Sequence, residues 1–147
     1  MEKQKFNANF DEYQISVRHK IAFQSLLLTH VLALVNGIAA TQHPWAPPMV
    51  QATFIIAIPA LYFVTLAVFK NAYLGNRTRR PALTGLFALT LGLLNGAAVW
   101  FGPERRPLEN GALTGDILPL LLGIFWGYIG IIILIKYFLE NKSQAEE

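Results

Sequence analysis

The chain has 147 residues, of which 54% are hydrophobic and only 14% charged, and it contains no cysteine. Soluble domains carry about 25% charged residues, so this composition excludes an ordinary soluble fold. The absence of thiols excludes disulfides, thiolate metal sites and thiol redox chemistry. The net charge of +3 comes from an uneven spread of Lys and Arg over the loops and requires no nucleic-acid partner.

Residues 1–20 read as a polar lead-in helix. Phe6, Phe10, Tyr13 and Val17 recur at helical spacing. Asn9 followed by Glu12 resembles an N-terminal capping pair. No Gly or Pro occurs between Phe10 and Asn36, so the lead-in is expected to continue into the following apolar segment or to hinge against it. The lead-in is either a solvated extension or a docking surface for a cytoplasmic protein partner.

Apolar residues then gather in four blocks, 21–40, 49–69, 82–101 and 117–138, each about 20 residues and long enough to span a bilayer core. None holds Asp, Glu or Arg, and Lys136 near the end of the fourth can snorkel to the interface. The first block is too long for a cleavable signal. The expectation is therefore an all-α, integral membrane four-helix bundle over 21–138, followed by a polar C-terminal tail at 139–147.

The first span contains the one unusual motif. Ala33-Leu-Val-Asn36-Gly37 returns in the third span as Gly92-Leu-Leu-Asn95-Gly96, 59 residues later. Residues four apart share a helix face, and small residues at that spacing let helix backbones approach closely in lipid. An amide beside them can hydrogen-bond across the contact, since an unsatisfied one in hydrocarbon is costly. Ala33, Asn36, Gly37, Gly92, Asn95 and Gly96 are thus the expected packing residues, with Asn36 and Asn95 pointing into the bundle. The repeat reads either as two duplicated helical hairpins in the same orientation or as chance likeness between Leu-rich helices.

The remaining elements follow in order. The external loop at 41–48 is stiffened by three prolines and carries Trp45, an interfacial anchor matched by Trp100. Pro59 sits mid-way along the second span, where it removes a backbone hydrogen bond. The loop at 71–81 is basic. The loop at 102–116 has an Asn110-Gly111 turn, with Thr114 or Asp116 as a cap. Gly123, Gly127 and Gly130 give the fourth span a small face of its own, and Trp126 and Tyr128 near its middle are expected to face protein.

Orientation follows from the basic residues. Ten of them (Lys3, Lys5, Arg18, Lys20, Lys70, Arg77, Arg79, Arg80, Lys136 and Lys142) fall on one side, against Arg105 and Arg106 on the other. Both termini are therefore expected in the cytoplasm, with the chain in the cell membrane.

Candidate chemistry is sparse. His30 is the one ionisable group well inside a span, and such a residue is a functional hypothesis by default. A neutral His bonded to a neighbouring helix is the plainer account. His19 lies about 16 Å away along the helix and cannot share a metal with it. No paired-carboxylate, metal-ligand, nucleophile or phosphate-loop motif occurs. No catalytic residue, cofactor or metal is expected, and the chain does not read as an enzyme.

The stretch Phe10-Asp-Glu-Tyr-Gln14 running straight into a long apolar helix resembles small multi-span bacterial membrane proteins of uncharacterised role with an N-terminal Asp-Glu-x-Gln segment. Such proteins are often associated with small helix-turn-helix regulators. The resemblance covers about residues 10–37 and the four-span layout, and it implies a regulatory or partner-binding role. Two function classes follow. One is a non-enzymatic membrane protein binding a partner through its N-terminal helix. The other is a small, homo-oligomeric transporter or channel subunit, its polar path lined by Thr29, His30, Asn36 and Asn95. The lipid bilayer is the partner common to both.

Overall fold

The computed structural model describes residues 10–74, 80–101, 106–109 and 111–145. Lys3, Lys5, Phe6, Asn9, Arg77, Arg79, Arg105 and Asn110 lie outside these residues, as does the Trp100 side chain. Helix α1 spans Glu12–Gln42 without a break, so the lead-in and the first apolar block are one element. Its cap is Asp11 rather than the expected Asn9–Glu12 pair. The Asp11 carboxylate accepts from the Gln14 backbone N–H at 2.7 Å, and the Gln14 side chain accepts from the Asp11 N–H at 3.2 Å. This reciprocal pair satisfies two donors that a helix start leaves free.

Helix α2, Pro48–Phe69, opens on a proline whose missing N–H costs nothing at a first helical position. Pro59 is buried inside it, and the helix continues through the lost bond. The end of α2 is sharp. Asn71 takes φ +56°, its N–H donates to Val68 O at 3.1 Å, and the Ala72 N–H donates to Ala67 O at 2.7 Å. This paired closure leaves Ala67 and Ala72 fully buried against the turn.

Helix α3 is Pro81–Phe101. A short hairpin follows, with β1 (Leu108–Glu109) antiparallel to β2 (Ala112–Leu113) and Leu108 opposite Leu113. Gly111, at φ +79°, supplies a turn conformation that side-chain-bearing residues avoid. The Leu113 N–H donates to Trp45 O at 3.0 Å, which fastens this loop to the one between α1 and α2. Thr114 caps a single 3-10 turn, Gly115–Ile117. Helix α4, Leu118–Ala145, then runs past 138 and takes up much of the expected polar tail. Lys136 pairs with Glu140 one turn on, at 3.1 Å.

All four helices are long and apolar enough to cross a membrane, and together they form the helical bundle of a multi-pass membrane protein. α2 packs on both α1 and α4, and α4 packs most closely on α3. The neighbour order is therefore α1–α2–α4–α3. α2 and α4 run parallel, since Thr65 meets Tyr128 with their hydroxyls 3.0 Å apart and Val64 and Val68 pack with Ile129, Ile132 and Ile133. Exchanging α1 with α3 and α2 with α4 preserves this order, as it would for two like-oriented hairpins joined through their second helices.

The two hairpins are held differently. A Cβ built on Gly92 would lie 2.4 Å from Gly127 N, one on Gly130 would lie 2.5 Å from Leu89 N, and one on Gly123 would lie 2.9 Å from Gly96 N. The α3 and α4 backbones therefore touch along a seam of glycines that also takes in Gly85, and dispersion contacts replace side-chain burial there. α1 meets α2 through larger residues. Ile21, Ser25, Leu28, Leu32 and Asn36 are buried or half-buried, whereas Ala33 and Gly37 are exposed. Nothing lies within 4 Å of a Cβ built on Gly37. Ala33 and Gly37 are thus not packing residues of the bundle. With Asn36 turned to α2, its neighbour Gly37 is rotated by about 100° out of the contact.

Candidate functional site

At the end of the molecule where α1 starts and α2 stops, two side chains lock α1 onto the α2 terminus. The αL turn at Asn71 leaves the Asn71 and Ala72 carbonyls pointing away from their own helix. Gln14 Nε2 donates to Asn71 O at 2.7 Å, and Arg18 Nη1 donates to Ala72 O at 3.3 Å. Gln14 is buried. The cation also complements the negative end of the α2 dipole. The Arg18 guanidinium lies 4.3 Å over the Phe10 ring, where its charge meets the ring face, and 6.0 Å from the centre of Phe63. Beside it, Tyr73 is half-buried; burial pushes its phenol above the ordinary value, and Arg18 pulls it partly back. A cavity of about 220 Å³ lies here, walled by Gln14, Asn71, Tyr73, Lys136, Tyr137 and Glu140. The sequence signal for this site was the stretch Asp11–Gln14, but the register differs from the apolar stripe. Gln14 and Arg18 face the protein, while Tyr13, a stripe residue, is 65% exposed.

At the opposite end, Asn36 is the hub of an amide network. Its Nδ2 donates to Gln51 Oε1 at 2.8 Å, and its Oδ1 accepts from Trp45 Nε1 at 3.0 Å. Gln51 Nε2 donates in turn to Ala46 O at 2.6 Å. Trp45 also meets the Phe54 ring edge-on at 5.6 Å. The network ties α1, the proline-rich loop and α2 together, so Trp45 is bonded to protein as well as placed to anchor an interface.

The other expected polar residues do not join it. Asn95 Nδ2 donates to Leu91 O of its own helix at 2.8 Å, and α1 and α3 occupy opposite flanks, so Asn36 and Asn95 do not meet. Thr29 donates to Ser25 O at 2.9 Å. His30 is exposed on the face away from α2, with Nδ1 2.7 Å from Leu26 O. Thr29, His30, Asn36 and Asn95 are therefore not assembled into one path. Of the expected packing residues, Gly92, Gly96, Gly123 and Gly127 lie in the α3–α4 seam. Gly85 and Gly130 join them there; Gly85 stands seven residues before Gly92 on the same face, a signal readable from spacing.

Among the described residues, no group of three or more His, Cys, Asp or Glu is placed to hold a metal ion, and no buried side-chain polar atom lacks a hydrogen-bond partner. The chain matches no protein-family model, no curated protein and no solved structure.

Proposed function

We propose that this is a non-enzymatic protein of the cell membrane, both termini cytoplasmic, whose function is to bind a protein partner through the cytoplasmic end of α1. The observation that carries this reading is the bracing of that end. Two helical turns project before the apolar block, held by the Gln14–Asn71 and Arg18–Ala72 bonds, while Tyr13 stands 65% exposed on the other side. A helix fixed in place presents its outer face without the ordering cost that a loose tail meets on binding. The resemblance of the Asp-Glu-x-Gln segment to proteins associated with small regulators points the same way.

The test is site-specific photocrosslinking in cells, with p-benzoylphenylalanine placed at Tyr13 and, as a control, at Phe23 on the span. A discrete protein adduct at Tyr13 alone is the expected result. Equal, diffuse labelling at both positions would remove the basis for the proposal.

A second reading, a small homo-oligomeric transporter or channel subunit, draws on His30. Its imidazole is turned away from the rest of the chain at the depth where a polar ring is least welcome, and a neighbouring copy would cover it. If so, His30→Leu lowers the oligomer mass seen by light scattering in mild detergent. An unchanged mass, with a raised melting temperature, speaks for a His30 that meets lipid.

A further inference from the structure

Below the Arg18 brace, the contact between α1 and α2 is shallow on one side. The two helices leave an apolar groove of about 540 Å³ on the side of the molecule, walled by Ala22, Leu26 and Thr29 on one helix and by Pro59, Ala60 and Phe63 on the other. Small side chains and a proline make the gap. Its polar threads are already satisfied, since Ser25 and Thr29 donate to the Ile21 and Ser25 carbonyls at 2.9 Å. Tyr73 closes the groove at the terminal end, next to the Arg18 guanidinium that lies over Phe10 and near Phe63.

The dimensions select the occupant. Arg18 and Thr29 are eleven residues apart on one unbroken helix, about 16 Å. The groove lining on α1 runs only from Ala22 to Thr29, about 10 Å; half of a roughly 30 Å hydrocarbon core is about 15 Å, so groove and guanidinium together span one leaflet. Arg18 stands twelve residues from His30, near the centre of the apolar block 21–40, or about 18 Å from mid-membrane. That places the guanidinium just outside the hydrocarbon, at the level of lipid phosphates. Only one Arg18 nitrogen is engaged in a described hydrogen bond, to Ala72 O, and a guanidinium carries five N–H donors in a fork that fits a phosphate.

We propose that this groove is a binding site for one anionic phospholipid of the leaflet on the terminal side, its phosphate on Arg18 and one acyl chain between α1 and α2. A cation at headgroup depth above an apolar slot matches that molecule in charge and in the order of its polar and apolar parts. The site is independent of the proposed protein partner, because Tyr13 lies on the opposite face of α1.

The experiment uses the full chain in nanodiscs of phosphatidylcholine doped with phosphatidylglycerol carrying a mid-chain diazirine, with labelled peptides mapped by mass spectrometry. Label concentrated on 22–29 and 56–64, competed by unlabelled phosphatidylglycerol and not by phosphatidylcholine, is the expected result. Arg18→Gln should cut that labelling at least five-fold. Ala60→Phe, which fills the slot from α2 and leaves the Arg18 brace intact, should abolish it with an unchanged helical circular dichroism spectrum. Label spread evenly over all four helices, equal competition by both lipids, or a groove protected only in a crosslinked dimer overturns the proposal.

Discussion

Individual residues separate the two kinds of glycine in this chain. Gly92 opens the motif in α3 and Gly37 closes it in α1, and a Cβ on Gly92 would lie 2.4 Å from Gly127 N whereas one on Gly37 would meet nothing. Gly92→Ala must push α3 and α4 apart, so it is expected to cost about 1–3 kcal/mol, the range for overpacking. Gly37→Ala should be neutral or stabilising by up to about 1 kcal/mol, because it removes only backbone freedom from an exposed helical position. Thermal melts of both variants in one detergent check the order. Tyr73 offers a pH signature at the same scale. Its phenol is raised in the folded protein by burial, so the unfolded chain releases that proton first as pH rises past about 10. Stability is then lost between that pH and the raised folded value. Tyr73→Phe should flatten the alkaline fall in melting temperature relative to wild type, and an identical pH profile would show that the phenol titrates alike in the folded and unfolded states.

Among the elements, α1 is joined to the bundle by hydrogen bonds at its two ends, by the Tyr62 hydroxyl donating to Gln24 Oε1 at 3.2 Å between them, and by a modest apolar stripe. Gln14 donates to Asn71 O from a buried position, and removing one partner of a buried bond costs about 1–3 kcal/mol. Gln14→Ala should therefore fray the first turns of α1. Hydrogen exchange at 12–20 is expected to rise several-fold, while exchange in α3 and α4 stays unchanged. Removal of residues 1–9 should have no such effect, since the capping box lies within Asp11–Gln14. If the truncation unfolds the spans, residues 1–9 belong to the core.

The whole molecule is asymmetric in how tightly its halves are closed. The α3–α4 seam brings backbones into contact, whereas α1 is the least covered of the four helices. Exchange in nanodiscs should accordingly rank α4 and α3 as the most protected and α1 as the least. The proposed orientation is also tested on the intact molecule. Ala46 is buried and its carbonyl accepts from Gln51, so a cysteine there would react poorly whichever way the protein sits. His43, exposed in the same loop, and Lys70, exposed at the other end of α2, are the informative pair. A cysteine at 43 should react with an impermeant thiol reagent on intact cells and one at 70 should not; the reverse pattern inverts the topology.

The number of helices, their lengths and their apolar character were legible in residue order alone, because spanning length and hydrocarbon compatibility are properties of a segment taken by itself. So were the Gly111 turn and the small face of α4, whereas Pro48, read as part of the loop, proved to be the first residue of α2. Which small face is used was not legible. The motifs around Gly37 and Gly96 look alike, and only the placement of α1 and α3 on opposite flanks of the α2–α4 pair decides that one meets a neighbour and the other does not. Asn36 shows the same division. Its hydrocarbon depth demands a partner, but whether that partner is Asn95 or the Gln51–Trp45 pair depends on which helices are adjacent. Adjacency also turns Gln14 and Arg18, two unremarkable polar residues in sequence, into the brace that holds α1, since the αL turn that frees the Asn71 and Ala72 carbonyls lies more than fifty residues away. Local chemistry set what each segment could be, and the long-range contacts, each settled by shape against a particular neighbour, set what each one does.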